Sequence, residues 1–95
     1  MSDESDDTRF VRSPHVLQRR TLDSFVLLGV DAEEPVIVAG TGADVWTLLT
    51  EARTLADLVE ILSDHYEGDH DVIAGDVGDL LDRFVAGGVV LRIEP

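Results

Sequence analysis

The chain has 95 residues, with 20 aspartates and glutamates against 7 arginines, no lysine and no cysteine. This length predicts one small domain, and the net charge of −13 opposes binding to nucleic-acid phosphates. Without cysteine the chain has no disulfide, thiolate metal site or cysteine nucleophile. No apolar run is long enough to cross a membrane, and the acidic N-terminus is unlike a signal peptide. We therefore expect a cytoplasmic protein.

Three β-prone segments follow an acidic start. Residues 1–9 lack apolar periodicity, which predicts a disordered acidic tail before a domain over residues 10–95. The predicted strands cover residues 15–21, 24–30 and 36–39. Their short connections predict an antiparallel meander in which the first and third strands are edges.

Three predicted helices follow the strands, over about residues 42–50, 54–67 and 71–86. Thr54 and Asp57 have the spacing of a capping box, and Gly87-Gly88 ends the third helix before a short closing strand over residues 89–93. The predicted fold class is α+β: a winged-helix-like domain with a three-stranded antiparallel sheet followed by three helices.

The first helix begins at Gly40-Thr41-Gly42, directly after an apolar strand, as in a dinucleotide-binding loop. That fingerprint needs a third glycine where Val45 stands, and a phosphate-binding Walker loop needs a lysine. The glycines therefore predict only a strand-to-helix turn, and we expect no cofactor.

Other chemistry is poorly supported. Residues 64–71 hold two histidines and four carboxylates, but neither the calcium-loop nor the helical zinc spacing is present, so we expect no metal and no enzyme. Two alternatives stay open. Ser24 follows an aspartate, as in acyl or peptidyl carrier proteins, and helices after a small sheet are also typical of winged-helix DNA-binding regulators.

The third predicted strand is apolar and uncharged, although edge strands are normally blunted by charge, a bulge or a cover. It is either covered by the protein's own chain or available to an extended peptide. The residues of this strand are Val36, Ile37, Val38 and Ala39.

A series of short motifs runs in order through residues 10–91. They are Pro14-His15-Val16, the strand over residues 25–28, Thr41-Gly42-Ala43 with Val45-Trp46, Thr54-Leu55 with Asp57-Leu58, His65-Tyr66, Asp76-Val77 and Gly87-Gly88-Val89-Val90. This set resembles the PqqD-like recognition elements for precursors of RiPPs, the ribosomally synthesised and post-translationally modified peptides. The chain departs from that family at Ala39-Gly40, where a Leu-Asn pair is usual.

The resemblance implies a non-enzymatic protein that binds the leader segment of a precursor peptide by adding it as a strand to the third strand. The leader would lie in the groove between that strand and the third helix. The implied contacts are the backbones of Val36, Ile37, Val38 and Ala39 and, on the third helix, Ile73, Asp76, Val77, Leu80, Arg83 and Phe84. From their spacing alone, Ile73, Leu80 and Phe84 could equally belong to the core.

In its proline-histidine pair near the start of the domain and in its length, the chain is most similar to the stand-alone leader-binding proteins of lasso-peptide pathways. The resemblance then implies three partners: the precursor's leader, a separate cysteine peptidase and a macrocyclase. It implies neither nucleic acid nor a membrane as a partner.

Overall fold

The computed structural model describes residues 7–94, which form six strands and three helices in an α+β arrangement. The elements are β1 (Arg9–Arg12), β2 (Leu17–Arg20), β3 (Ser24–Leu28), β4 (Val36–Ala39), α1 (Thr41–Leu48), β5 (Arg53–Thr54), α2 (Leu55–His65), α3 (His70–Ala86) and β6 (Val90–Ile93). The predicted fold class is confirmed. Residues 1–6 of the predicted tail lie outside the described residues, and Arg9 belongs to β1 instead of to a tail.

The predicted meander is the sheet β2-β3-β4, with both pairs antiparallel. β2 and β3 are shorter than the segments read from the sequence, whereas β4 has the predicted bounds. Leu27 and Val38 face the helices and are buried, whereas Leu17 and Ile37 point to solvent. The third predicted strand is β4, which is an edge of this sheet as expected.

A second antiparallel sheet, ordered β5-β1-β6, was not predicted as a sheet. β1 lies between the two-residue strand β5 and the C-terminal strand β6, with Phe10 opposite Arg53 on one side and Arg92 on the other. The closing strand expected over residues 89–93 is β6, and its partner is the N-terminal strand. This sheet joins the two ends of the described chain.

The helices begin at identifiable caps. In the capping box of α2, the Asp57 amide donates to Thr54 Oγ1 and the Thr54 amide donates to Asp57 Oδ2, both at 3.1 Å. Asp69 caps α3 by accepting from the Asp71 amide at 3.0 Å. Gly40 precedes α1 with φ of 57°, a left-handed conformation that favours glycine. Within residues 7–94, no helix is both long and apolar enough to cross a bilayer.

Trp46 on α1 lies at the centre of the core and is fully buried. Its indole Nε1 donates to Gln18 Oε1 at 2.8 Å, and the ring of Phe84 packs edge-on at 6.0 Å between centroids. The Arg12 guanidinium lies 4.4 Å from the indole centroid, and its Nε donates to the Trp46 carbonyl at 2.9 Å. Burial lowers the pKa of Arg12. These contacts fix α1 against both sheets and against α3.

Candidate functional site

The backbone of β3 determines which groups of β4 remain unpaired. At the hairpin between β2 and β3, the Thr21 amide donates to the Ser24 carbonyl at 2.9 Å, so the backbone groups of Ser24 face β2. Successive residues of a strand direct their N–H and C=O groups to opposite sides. The backbone groups of Phe25 and Leu27 therefore face β4.

Phe25 lies opposite Val38 and Leu27 lies opposite Val36. By the same alternation, Val36 and Val38 are the β4 residues that bond to β3, and the N–H and C=O of Ile37 are directed to the open side of the sheet. Among residues 7–94, no strand pairs with that side. The edge therefore offers a donor and an acceptor at Ile37 to an incoming strand.

The side chains of β4 alternate between the core and solvent. Val38 is 4% exposed and contributes to the core, whereas Ile37 is 62% exposed and Ala39 is also exposed. None of the four residues carries a charge. The edge is therefore as uncharged as the sequence indicates, and nothing in its own side chains prevents strand addition.

A groove of about 310 Å³ lies between the start of α1, directly after this strand, and α3. Its lining residues are Thr41, Gly42, Asp76, Val77, Asp79, Leu80 and Arg83. Gly42 places the groove next to β4, because a Cβ at Gly42 would lie 3.4 Å from Val38 Cβ and 3.7 Å from Leu80 Cδ1. The groove thus adjoins the middle of α3, the start of α1 and the end of β4.

The other end of β4 is held against the end of α3. A Cβ at Gly87 would lie only 2.7 Å from Val36 Cγ2. Since Val36 adjoins the C-terminal end of α3 and Val38 adjoins its middle, β4 runs in the opposite direction to α3. The open edge and the groove therefore lie side by side along the same stretch of helix.

The family model of Coenzyme PQQ synthesis protein D (PqqD) matches residues 24–90, which is well over half of the chain. The chain belongs to the PqqD family. This confirms the resemblance read from the sequence motifs, and the matched region holds β4, α3 and the whole lining of the groove.

The PqqD-family fold also appears in a solved structure, TbiB1 in complex with the TbiA(beta) leader peptide. The two structures have a TM-score of 0.74 and 21% sequence identity, covering 84% of this chain and 93% of the TbiB1 chain. At this identity the similarity shows a shared fold. No curated protein matches this sequence closely enough to count as a relative.

Four of the six predicted α3 residues line the groove of this PqqD-family chain: Asp76, Val77, Leu80 and Arg83. Val77 is 1% exposed and forms its floor. Phe84 is completely buried against Trp46 and lies outside the described lining of the groove. Ile73 is half-buried and packs against the core, outside the described lining of the groove.

Thr41, Gly42 and Asp79 line the groove but were absent from the predicted set. Gly42 carries one available signal, because a glycine at the second position of a helix leaves space where another residue would place a Cβ. Asp79 lies four residues before Arg83, so helical spacing already puts them on neighbouring parts of one surface.

The groove carries charges of both signs that have no ion-pair partner in the described chain. The ion pairs among residues 7–94 join Arg53 to Glu51 and Arg92 to Asp82. Asp76, Asp79 and Arg83 are exposed and take part in neither pair. A ligand in the groove can therefore meet two carboxylates and one guanidinium.

The two alternatives from the sequence find little support here. Ser24 begins a strand and its hydroxyl lies at hydrogen-bond distance from that of Thr21, whereas a carrier-protein serine opens a helix. The exposed surface of α3 carries four aspartates and so opposes contact with DNA phosphates. They are Asp71, Asp76, Asp79 and Asp82. No group of three or more metal-binding side chains occurs in the part of the chain that the structure describes.

Proposed function

We propose that this protein binds the leader segment of a ribosomally synthesised precursor peptide by strand addition to the open side of β4. The observation that carries the proposal is the unpaired backbone of Ile37 beside a groove lined by α3. Membership of the PqqD family supports it, as does the leader peptide bound by TbiB1, a protein of the same fold.

In this mechanism the backbone supplies affinity and the groove supplies selectivity. An added strand exchanges hydrogen bonds with the N–H and C=O of Ile37 and reaches Ala39 two residues on, each bond contributing about 1 kcal/mol net. Pro35 has no N–H to donate, so the hydrogen bonding between β4 and the added strand ends there. Alternate side chains of the leader then enter the groove over Leu80 and Val77.

The bound leader is delivered to enzymes that act on the precursor. We propose that these are a separate cysteine leader peptidase and a macrocyclase, in lasso-peptide biosynthesis. The chain has no cysteine, which suits a binding role beside such a peptidase. Holding the leader as a strand leaves the rest of the precursor free to reach an active site elsewhere.

Calorimetric titration with a synthetic leader, taken from a short open reading frame beside the gene, tests the proposal. We expect micromolar or tighter binding. Ile37→Pro removes the N–H that faces the open side, and an edge strand tolerates proline at such a position, so we expect loss of binding with retention of the fold. Ile37→Ala keeps the N–H and removes the exposed side chain, which makes it the matched control.

The tryptophan fluorescence of Trp46, which is fully buried, reports whether each variant is folded. Folded Ile37→Pro protein that binds the leader as tightly as Ile37→Ala would rule out strand addition at β4. Failure of the wild-type protein to bind any neighbouring leader would rule out the function itself.

A further inference from the structure

The charges on the groove side of α3 are ordered along the helix. Asp76 and Asp79 precede Arg83, and all three are exposed groove residues without a partner in either of the ion pairs among residues 7–94. Five of the seven arginines take part in neither of these ion pairs, and Arg83 is the one among them that lines the groove. The groove therefore presents a negative site and a positive site, both available to a ligand.

The spacing of these sites matches an extended peptide. Asp79 and Arg83 are four residues apart, about 6 Å along the axis at 1.5 Å per residue. Side chains on one face of a strand recur every two residues, about 6.6 Å. Two leader residues separated by one position can therefore face Asp79 and Arg83 together, while the side chain between them points to the opposite face of the sheet.

The direction of the leader follows from the packing of β4. Because Val36 adjoins Gly87 and Val38 adjoins Leu80 by way of Gly42, β4 runs opposite to α3. Each strand pair in the described sheets is antiparallel, and antiparallel pairing is the more stable arrangement per residue. A leader strand antiparallel to β4 therefore runs in the same direction as α3 and meets Asp79 before Arg83.

We propose that the groove selects leaders in which a lysine or arginine stands two residues before an aspartate or glutamate. The basic side chain pairs with Asp79, with Asp76 one turn earlier adding to the negative field, and the acidic side chain pairs with Arg83. This specificity rests on the proposed function, since it requires a leader strand on β4. Each partly exposed ion pair contributes up to about fivefold in affinity.

Selection from a displayed library of random peptides, long enough to extend past both ends of β4, tests this without knowledge of the natural leader. Binders to the wild-type protein should be enriched in the basic-x-acidic order. The double variant Asp79→Arg, Arg83→Asp should enrich the acidic-x-basic order. Both positions are exposed, so both changes are compatible with folding.

Glu60→Arg, an exposed charge reversal on α2 outside the groove, is the control and should keep the wild-type preference. Rebinding of the selected peptides to Ile37→Pro protein separates the two proposals. The specificity is overturned if the selected peptides need the Ile37 N–H but show no preferred order of charges. It is also overturned if the charge-swapped variant selects the same order as the wild-type protein. Recovery of no peptide that depends on Ile37 overturns strand addition itself.

Discussion

Gly42→Ala should stabilise the protein and weaken leader binding. Gly42 lies in the first turn of α1, where alanine is favoured over glycine by about 0.5–1 kcal/mol. The new methyl group would sit 3.4 Å from Val38 Cβ and 3.7 Å from Leu80 Cδ1, which is ordinary van der Waals contact. The free protein therefore accommodates the substitution without a clash.

In the complex the same methyl group occupies space that the leader needs. Gly42 lines the groove next to Val38 of β4 and Leu80 of α3, so a leader side chain seated over Leu80 must shift to make room. Overpacking of this kind costs about 1–3 kcal/mol. Leader affinity should therefore fall by about fivefold to a hundredfold, while the free energy of unfolding rises.

Gly75→Ala is the matched control, because Gly75 lies in α3 with nothing within 4 Å of the position that its Cβ would take. It should raise stability by a similar amount and leave leader affinity unchanged. Denaturant unfolding followed by tryptophan fluorescence gives the stabilities, and calorimetric titration gives the affinities. If Gly42→Ala and Gly75→Ala bind the leader equally well, the groove beside Gly42 is not where the leader lies.

Three further predictions concern the fold. Thr54→Ala removes one bond of the capping box and should cost about 1 kcal/mol of unfolding free energy, measured through the single tryptophan; an unchanged denaturation midpoint would contradict it. The hydrogen bond to Asp44 raises the pKa of Tyr66 above its ordinary 10.0, so its contribution to stability is lost as the pH rises through the folded-state pKa. Absorbance of this single tyrosine should show a lower pKa in Asp44→Asn, and equal titration curves would refute the contact. Gly29→Ala would put a Cβ 2.5 Å from a backbone carbonyl oxygen at the end of α3 and should cost about 3 kcal/mol in the same unfolding assay, whereas wild-type stability would contradict that packing.

The elements with local causes were predictable from the sequence. The meander follows from short turns between β-prone segments, and its order is confirmed. The start of α2 follows from Thr54 and Asp57, whose reciprocal bonds need only three residues of chain. The lack of charge on the edge follows from the residues of β4 itself, whereas its exposure depends on what the rest of the chain leaves uncovered.

The second sheet depends on contacts distant in the sequence. β1 has four residues and β5 has two, and each is a strand only because the other elements of that sheet lie beside it. Arginines at both ends of β1 also interrupt the apolar pattern that indicates a strand. Local propensity therefore gives no account of this sheet.

The division of α3 between core and groove was only partly predictable. Helical periodicity gives one apolar arc, but the boundary within that arc depends on which neighbour covers each residue. Phe84 is covered by Trp46, whereas Leu80 is left at the groove because Gly42 opposite it has no side chain. That boundary depends on the absence of a side chain at Gly42 of α1, which the sequence pattern of α3 cannot reveal.

Amide hydrogen exchange, measured residue by residue by NMR with and without the leader, tests strand addition most directly. The Ile37 N–H should exchange much more slowly when the leader is bound, because it then donates to the added strand. The Arg20 N–H, which the same alternation directs to the opposite edge of the sheet, should be unaffected. A leader that binds without slowing exchange at Ile37, or that slows Arg20 instead, would contradict the account.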